Sequence, residues 1–402
     1  MRVLQINIDV NSGSVGRHAE NVGKILIENN HESYIAFGRG NNPSTSTLIK
    51  VGNMLDLFTH LIMSRLFDKH GLSSKRATRK LIKEISGINP DIVHMRNIHG
   101  YYLNYEILFK YLKETNRTVV WTFHDCWPLT GHCSHFERIG CWRWQTQCFN
   151  CPNIISYPKS LLIDNSKQNF ILKKKYFSSL QNLHIITPSD WLTNHAKNSF
   201  FKGFSVQTIH NGIDLNVFKN SNTNELRNKL KLGNEKIILG VANVWTKYKG
   251  FDDILELSKL FPVSSKIVLI GLKKDQIKQL PRNIIGITHT ESIHELAQYY
   301  SLADVFINPT YSDNFPTTNL ESIACGTPVI TYNTGGSPEA INDQTGFVVE
   351  KGDIENLFAS ITNILNNGKE YYSEPCRSRA EKYFNKNNQY LEHLHLYTEI
   401  LG

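Results

Sequence analysis

No stretch of the chain approaches the ~18 unbroken apolar residues that a helical membrane span requires. The first residues, Met1-Arg2-Val3-Leu4-Gln5-Ile6, enter a strand pattern directly, without the long apolar region and small-residue cleavage site of a secretory leader. These two absences lead us to expect a cytoplasmic protein, at most peripheral at the inner face of a membrane. Internal repeats of solenoid length are missing, which excludes a stacked-repeat architecture, and so are low-complexity tracts. What remains is ordinary globular material, with 40% hydrophobic and 20% charged residues. Its 402 residues are too many for one ordinary core and predict two domains of about 200 residues each.

Charge is distributed unevenly. Residues 1–208 carry 25 basic against 14 acidic side chains, whereas residues 209–402 carry 19 against 22. A basic first half suits an anionic partner: nucleic acid, an anionic membrane surface or a lipid pyrophosphate. It is equally compatible with a merely solvated basic face.

Short β-branched runs alternate with helical segments throughout, the pattern of βαβ units and parallel sheets. The first half offers strands at Val3–Ile8, Asp91–Met95, Thr118–His124 and His184–Pro188. In the second half they fall at Lys236–Ala242, Lys266–Gly271, Asn283–Thr288, Asp304–Pro309, Pro328–Thr331 and Gly346–Val349. Several are continuously apolar, as strands covered on both faces must be. The fold class is α/β, two doubly wound Rossmann-like domains in tandem. The Asn211-Gly212 turn marks the boundary, giving domains at 1–208 and 209–380, with a helical segment 381–402 expected to pack back on the first domain.

Ligands of such sheets bind at the carboxyl ends of the strands. After Asp304–Pro309 comes Thr310-Tyr311-Ser312-Asp313-Asn314-Phe315-Pro316, then a helix to Gly326. Pro316 suits a first helical turn and Gly326 the residue just past the end. The amides of Thr317, Thr318 and Asn319 would be the open donors of that helix, an anion site fit for a diphosphate. Asp313 lies before the helix and Glu321 about one and a half turns inside it, a separation that matches the two ends of a long ligand. Asp313 is also a natural helix cap, and Glu321 a natural solvated helix residue.

This segment resembles the E-x7-E donor signature of the retaining glycosyltransferases of family 4, here Asp313-x7-Glu321. The resemblance implies the GT-B architecture, two Rossmann-like domains facing across a cleft. It also implies that Asp313 contacts the donor sugar, that the amides after Phe315 hold sugar and diphosphate, and that Glu321 holds the ribose. Lys249 matches the lysine of the family's G-R-x-x-x-x-K-G loop; the arginine is absent, and Lys247 is its expected substitute. Such cations would stabilise a departing nucleoside diphosphate without a metal cofactor. Gly335 and Gly336 allow close backbone approach to a ligand. Gly13 and Gly16, in Asn11-Ser12-Gly13-Ser14-Val15-Gly16-Arg17, resemble the family's inter-domain glycine loop. His124, in Thr122-Phe123-His124-Asp125-Cys126-Trp127, stands where the family often carries an active-site histidine, for positioning rather than as a defined base. The implied donor is a UDP- or GDP-sugar of hexose type and the acceptor a lipid-linked or free oligosaccharide, with no nucleic-acid partner.

Cys133, Cys141, Cys148 and Cys151 are spaced C-x7-C-x6-C-x2-C within an insert at about 126–152, amid several histidines and tryptophans. Four thiolates could close a structural zinc site; free thiols and disulfides are the alternatives. The run from His124 to Pro152 resembles a subgroup of family 4 acting in bacterial capsule and exopolysaccharide pathways. Met54, Leu55, Phe58, Leu61, Ile62 and Leu66 recur at helical spacing, followed by basic residues from Arg65 to Lys83. That segment suits either a membrane-facing surface or a core-packing helix followed by a solvated one. Rival readings are a nucleotide-sugar epimerase or phosphorylase, a zinc-dependent nucleic-acid-binding protein, and a catalytically silent sugar-nucleotide-binding subunit.

Overall fold

A computed structural model of the protein describes residues 1–40, 42–261 and 264–402. The chain divides into two compact units, Met1–Ile209 with Tyr390–Gly402, and His210–Gln389.

In the first unit the described strands are β1 (Arg2–Asp9), β2 (Glu32–Arg39), β3 (Thr47–Lys50), β4 (Ile92–Met95), β5 (Val119–Thr122), β6 (Leu183–Thr187) and β7 (Ser205–Thr208). They form one parallel sheet in the order β3-β2-β1-β4-β5-β6-β7. Leu4 stands opposite Tyr34 on one side and Val93 on the other. The central strands β4 and β5 are buried at every residue because helices cover both faces, so they read as unbroken apolar runs. Sequence patterning misses β2, β3 and β7. The last two are four-residue edge strands, largely half-exposed, whose mixed polar sequences carry no continuous apolar signal.

The second unit holds β8 (Lys236–Val241), β9 (Ser265–Ile270), β10 (Ile284–Ile287), β11 (Val305–Asn308), β12 (Val329–Tyr332) and β13 (Gly346–Val349). The order is β10-β9-β8-β11-β12-β13, again all parallel. In each sheet the order reverses beside the first strand, at β1/β4 and at β8/β11, which opens a crevice at the carboxyl ends there.

The last helix, Lys386–Leu401, changes units along its length. Lys386 Nζ pairs with Asp214 at 2.6 Å in the second unit. Tyr390, Leu394, Leu396 and Tyr397 join Val3, Val22, Ile92 and Val120 in a core of the first. The segment that belongs with the first unit begins at Tyr390 and not at residue 381, whereas residues 384–386 pair with Ile213 and Asp214 of the second unit.

Candidate active site

In the second unit, three loops converge at the carboxyl ends of β8, β11 and β12. The helix after β11 runs Thr317–Ala324, with Pro316 as its extended N-cap. Pro316 thus precedes the first helical turn and does not occupy it. The amide of Asn319 donates back to the Pro316 carbonyl at 3.2 Å, so it is not one of the open donors. Its side chain is buried as a brace, accepting from Asn308 Nδ2 (2.8 Å) and donating to the Ser337 carbonyl (3.2 Å). Thr317 and Thr318 remain half-buried at the helix mouth. There the partial positive charge of the first turn favours an anion.

Asp313 and Lys249 meet at this mouth, with Asp313 Oδ2 2.8 Å from Lys249 Nζ, both partly exposed. Two glycines make the approach possible. Gly250 has φ +75°, and a Cβ there would lie 2.2 Å from the Pro309 carbonyl oxygen. Gly335 has φ +53°, and its Cβ would lie 1.7 Å from the carbonyl oxygen of Asp313. No side chain fits at either position, so the Lys249 loop and the Gly335-Gly336 loop can press onto the β11 loop only as glycine. Lys247 points elsewhere: it is exposed, with its ammonium 5.4 Å from the Tyr248 ring, and it makes no ion pair with Asp313 among the described residues. Glu321 is oriented from the core side by the fully buried Tyr300, whose hydroxyl donates to Glu321 Oε2 at 2.8 Å. Asp253 Oδ2 accepts from both Tyr311 (2.9 Å) and Tyr332 (2.6 Å), tying β12 to the helix that follows Lys249.

In the first unit, Gly13 and Gly16 open the helix Gly13–Glu28 after β1. Gly13 has φ +61°, and Gly16 is buried against Asp9 and Asn11. His124 follows β5. Its ring centroid is 5.7 Å from that of His18, and burial, aided by nearby Arg96, pushes its pKa down to about 3. It is a neutral ring at physiological pH, suited to polar contact. Arg96, at the end of β4, is fully buried. It donates through Nε to Gln5 (2.9 Å) and lies 2.5 Å from His18 Nδ1, while its Nη2 has no partner among the described residues. No carboxylate among the described residues pairs with this guanidinium. His393, from the last helix, adds a third buried ring 5.0 Å from His18. An uncompensated buried cation is costly, so a negative group placed beside this guanidinium would be stabilised.

A second polar network adjoins it. His99 bridges Asp125 (Nε2 to Oδ2, 3.0 Å) and the Tyr157 hydroxyl (Nδ1, 3.1 Å). Lys173, fully buried, donates to the carbonyls of Trp127 (2.7 Å) and Thr130 (2.9 Å), and burial pulls its pKa down to about 7. Sequence reading overlooked Arg96 and His99. The signal was His94-Met95-Arg96-Asn97-Ile98-His99, a concentration of basic and imidazole groups directly after a buried strand.

Cys133, Cys141, Cys148 and Cys151 line one small cavity with His132, Phe136 and Trp144. All four are free thiols. The Gly131 amide donates to Cys148 Sγ at 3.2 Å, but burial outweighs that bond and pushes the Cys148 thiol up to about 12. Among the described residues no three of these sulfurs lie within 4.8 Å of one another, so a tetrahedral metal would need them to close inward.

The family model described as Glycosyltransferase Family 4 matches residues 15–217, and that described as Glycosyl transferases group 1 matches residues 222–383. The chain belongs to glycosyltransferase family 4. It is therefore an enzyme of glycosyl transfer, which accounts for the paired Rossmann-like units and leaves the nucleic-acid-binding alternative without support. A protein of Escherichia coli K12 assigned to colanic acid biosynthesis as a glycosyl transferase, WcaC, is 23% identical over 376 residues, 89% of each chain. Among solved structures, a Rickettsia africae glycosyltransferase superposes with a TM-score of 0.72 at 20% identity over 100% of this chain and 98% of that one. Anabaena Alr3699/HepE, solved with UDP and glucose, gives 0.68 at 13% identity over 99% of each chain. Both structures share the fold of this family 4 member.

Proposed function

We propose that this glycosyltransferase moves a hexose-type sugar from a nucleotide-diphosphate sugar to a growing, lipid-linked oligosaccharide in surface polysaccharide synthesis. The observation that carries the reading is the convergence of Lys249, Asp313 and the Thr317 helix mouth, with Glu321 fixed by Tyr300. Glu321 would take the ribose hydroxyls, the helix mouth the diphosphate, Lys249 the charge that grows on the leaving group, and Asp313 the sugar. The Gly335-Gly336 backbone would close the diphosphate end. Lys247, aimed away from Asp313, would at most steer the donor inward. The relatives support this reading through the colanic acid assignment of WcaC and the UDP and glucose bound by Alr3699/HepE. Isothermal calorimetry with UDP and GDP tests it: Glu321→Ala should weaken whichever nucleotide binds, and unchanged affinity for both would refute the site.

In the first unit, Arg96 with His18, His124 and His393 would receive an anionic group of a substrate, and the Gly13–Gly16 loop would supply backbone near it. The four-cysteine cavity would hold a structural zinc that fastens the insert. Elemental analysis of protein purified without chelator decides this, and a content well below one equivalent would refute it.

A further inference from the structure

We propose that the helix Met54–Phe67 and the segment 155–163 of the first unit form the surface by which the protein docks on an anionic lipid bilayer. The helix is inside out. His60 and Ser64, one turn apart, have no solvent exposure, and neither does its C-cap Asp68. His60 Nδ1 is 2.8 Å from Ser74 Oγ, and His60 Nε2 accepts from the Gly71 amide at 2.9 Å. Asp68 takes His132 Nδ1 at 2.6 Å and the Asn165 amide at 3.0 Å. On the outer stripe, Met54, Leu55, Phe58 and Ile62 are 79%, 70%, 57% and 37% exposed. A helix normally turns its apolar stripe toward the core; here the interior network claims the polar one.

The exposed stripe does not stand alone. Ile155, Leu161, Leu162 and Ile163, in the segment after the insert, are 70%, 55%, 73% and 41% exposed. The Leu161 amide donates to the Arg65 carbonyl at 2.7 Å, and Asn165 Nδ2 donates to the Phe67 carbonyl at 2.7 Å, fastening this segment to the end of the helix. Single exposed apolar residues are normal, but a clustered set marks an interaction site.

Charge selects the occupant. Between Arg65 and Lys83 seven side chains are basic and one, Asp68, is acidic. Asp68 is buried against His132, so the accessible charge of this stretch is positive throughout. On the helix Lys75–Ile88 the apolar Ala77, Leu81 and Ile85 are buried, while Lys75, Arg76, Arg79, Lys80 and Lys83 are exposed. An apolar ridge beside a polybasic face fits an anionic bilayer. A second copy of the chain fits less well, because a two-fold interface would bring the same basic face against itself. No described helix is long and apolar enough to span a membrane, so the contact is peripheral.

The proposal stands independently of the donor assignment, and its test keeps the two apart. The full chain is sedimented with vesicles containing phosphatidylglycerol and with vesicles of phosphatidylcholine alone. Binding should require the anionic lipid and weaken with salt. The double variant Phe58→Asp, Leu162→Asp should lose it by about tenfold or more. Lys80→Glu with Lys83→Glu should remove most of its salt-sensitive part. Both variants alter exposed positions and should keep the melting temperature and nucleotide affinity of the parent. Equal binding by the double variant, or no preference for anionic vesicles, would overturn the proposal. So would a concentration-dependent dimer in sedimentation equilibrium that the double variant abolishes.

Discussion

The two units wind their sheets in the same order yet build their strand-end loops by opposite means. In the second unit the connections are short, and glycines at 250 and 335 bring backbone against backbone, so that few side chains (Lys249, Asp313 and Glu321) face outward. In the first unit, the loop after β4 and the long connection after β5 carry a dense buried set of histidines, Arg96, Lys173 and thiols. Backbone donors suit a part that many substrates share, such as a diphosphate. A side-chain network suits recognition of something particular. The difference predicts that the second unit governs donor binding and turnover, and that the first governs acceptor recognition and acid sensitivity.

Lys249→Ala would break this division most severely. Removing a cation placed for leaving-group charge should lower kcat by about 10²–10³-fold with little change in nucleotide affinity, measured by steady-state transfer kinetics. Glu321→Ala should raise the nucleotide Kd by about 10–100-fold, the worth of charge-assisted hydrogen bonds, and leave the first unit's acid response unchanged. That response is the third prediction. Burial pushes His60 down to about 3 and holds His18, His70, His94 and His393 well below the ordinary histidine value. The unfolded chain, with histidine near ~6.5, therefore binds protons first. The stability is whole above about pH 6.5 and is lost as pH falls toward 3. His60 alone should cost about 2 kcal/mol at pH 5. Calorimetry should show the first unit's transition falling ahead of the second's, and a parallel fall would erase the contrast.

The smallest effect sharpens the comparison from the other side. Arg96→Met removes an uncompensated buried charge, so the melting temperature should hold or rise slightly, while acceptor-dependent turnover falls by about tenfold or more. Loss of both would make Arg96 a structural residue.

The second unit was the more legible in sequence. Each of its six described strands overlaps an expected run, and Lys249 pairs with Asp313 beside Gly335. Its connections are short, so neighbours in sequence remain neighbours in space. The first unit was read less completely. Its edge strands lack an apolar run, and Arg96 and His99 come from the loop after β4 while His393 comes from the last helix, nearly 300 residues away. Pro316 fell one residue outside the helix and Asn319 proved a brace, since cap geometry depends on what packs around the loop.

The sequence by itself determined the elements whose cause is local: buried strands as apolar runs, the acid–helix–acid spacing, glycines where a side chain would collide, and four cysteines within one insert. Only the tertiary structure decided which side of Met54–Phe67 faces inward. The apolar periodicity was plain, but it reports that one stripe differs from the other and not which of them meets the core. That orientation was set by partners beyond the helix itself, with Asp68 committed to the distant His132 and Asn165 and His60 to the nearby turn at Gly71. Burying those polar groups without partners would cost more than exposing four apolar side chains.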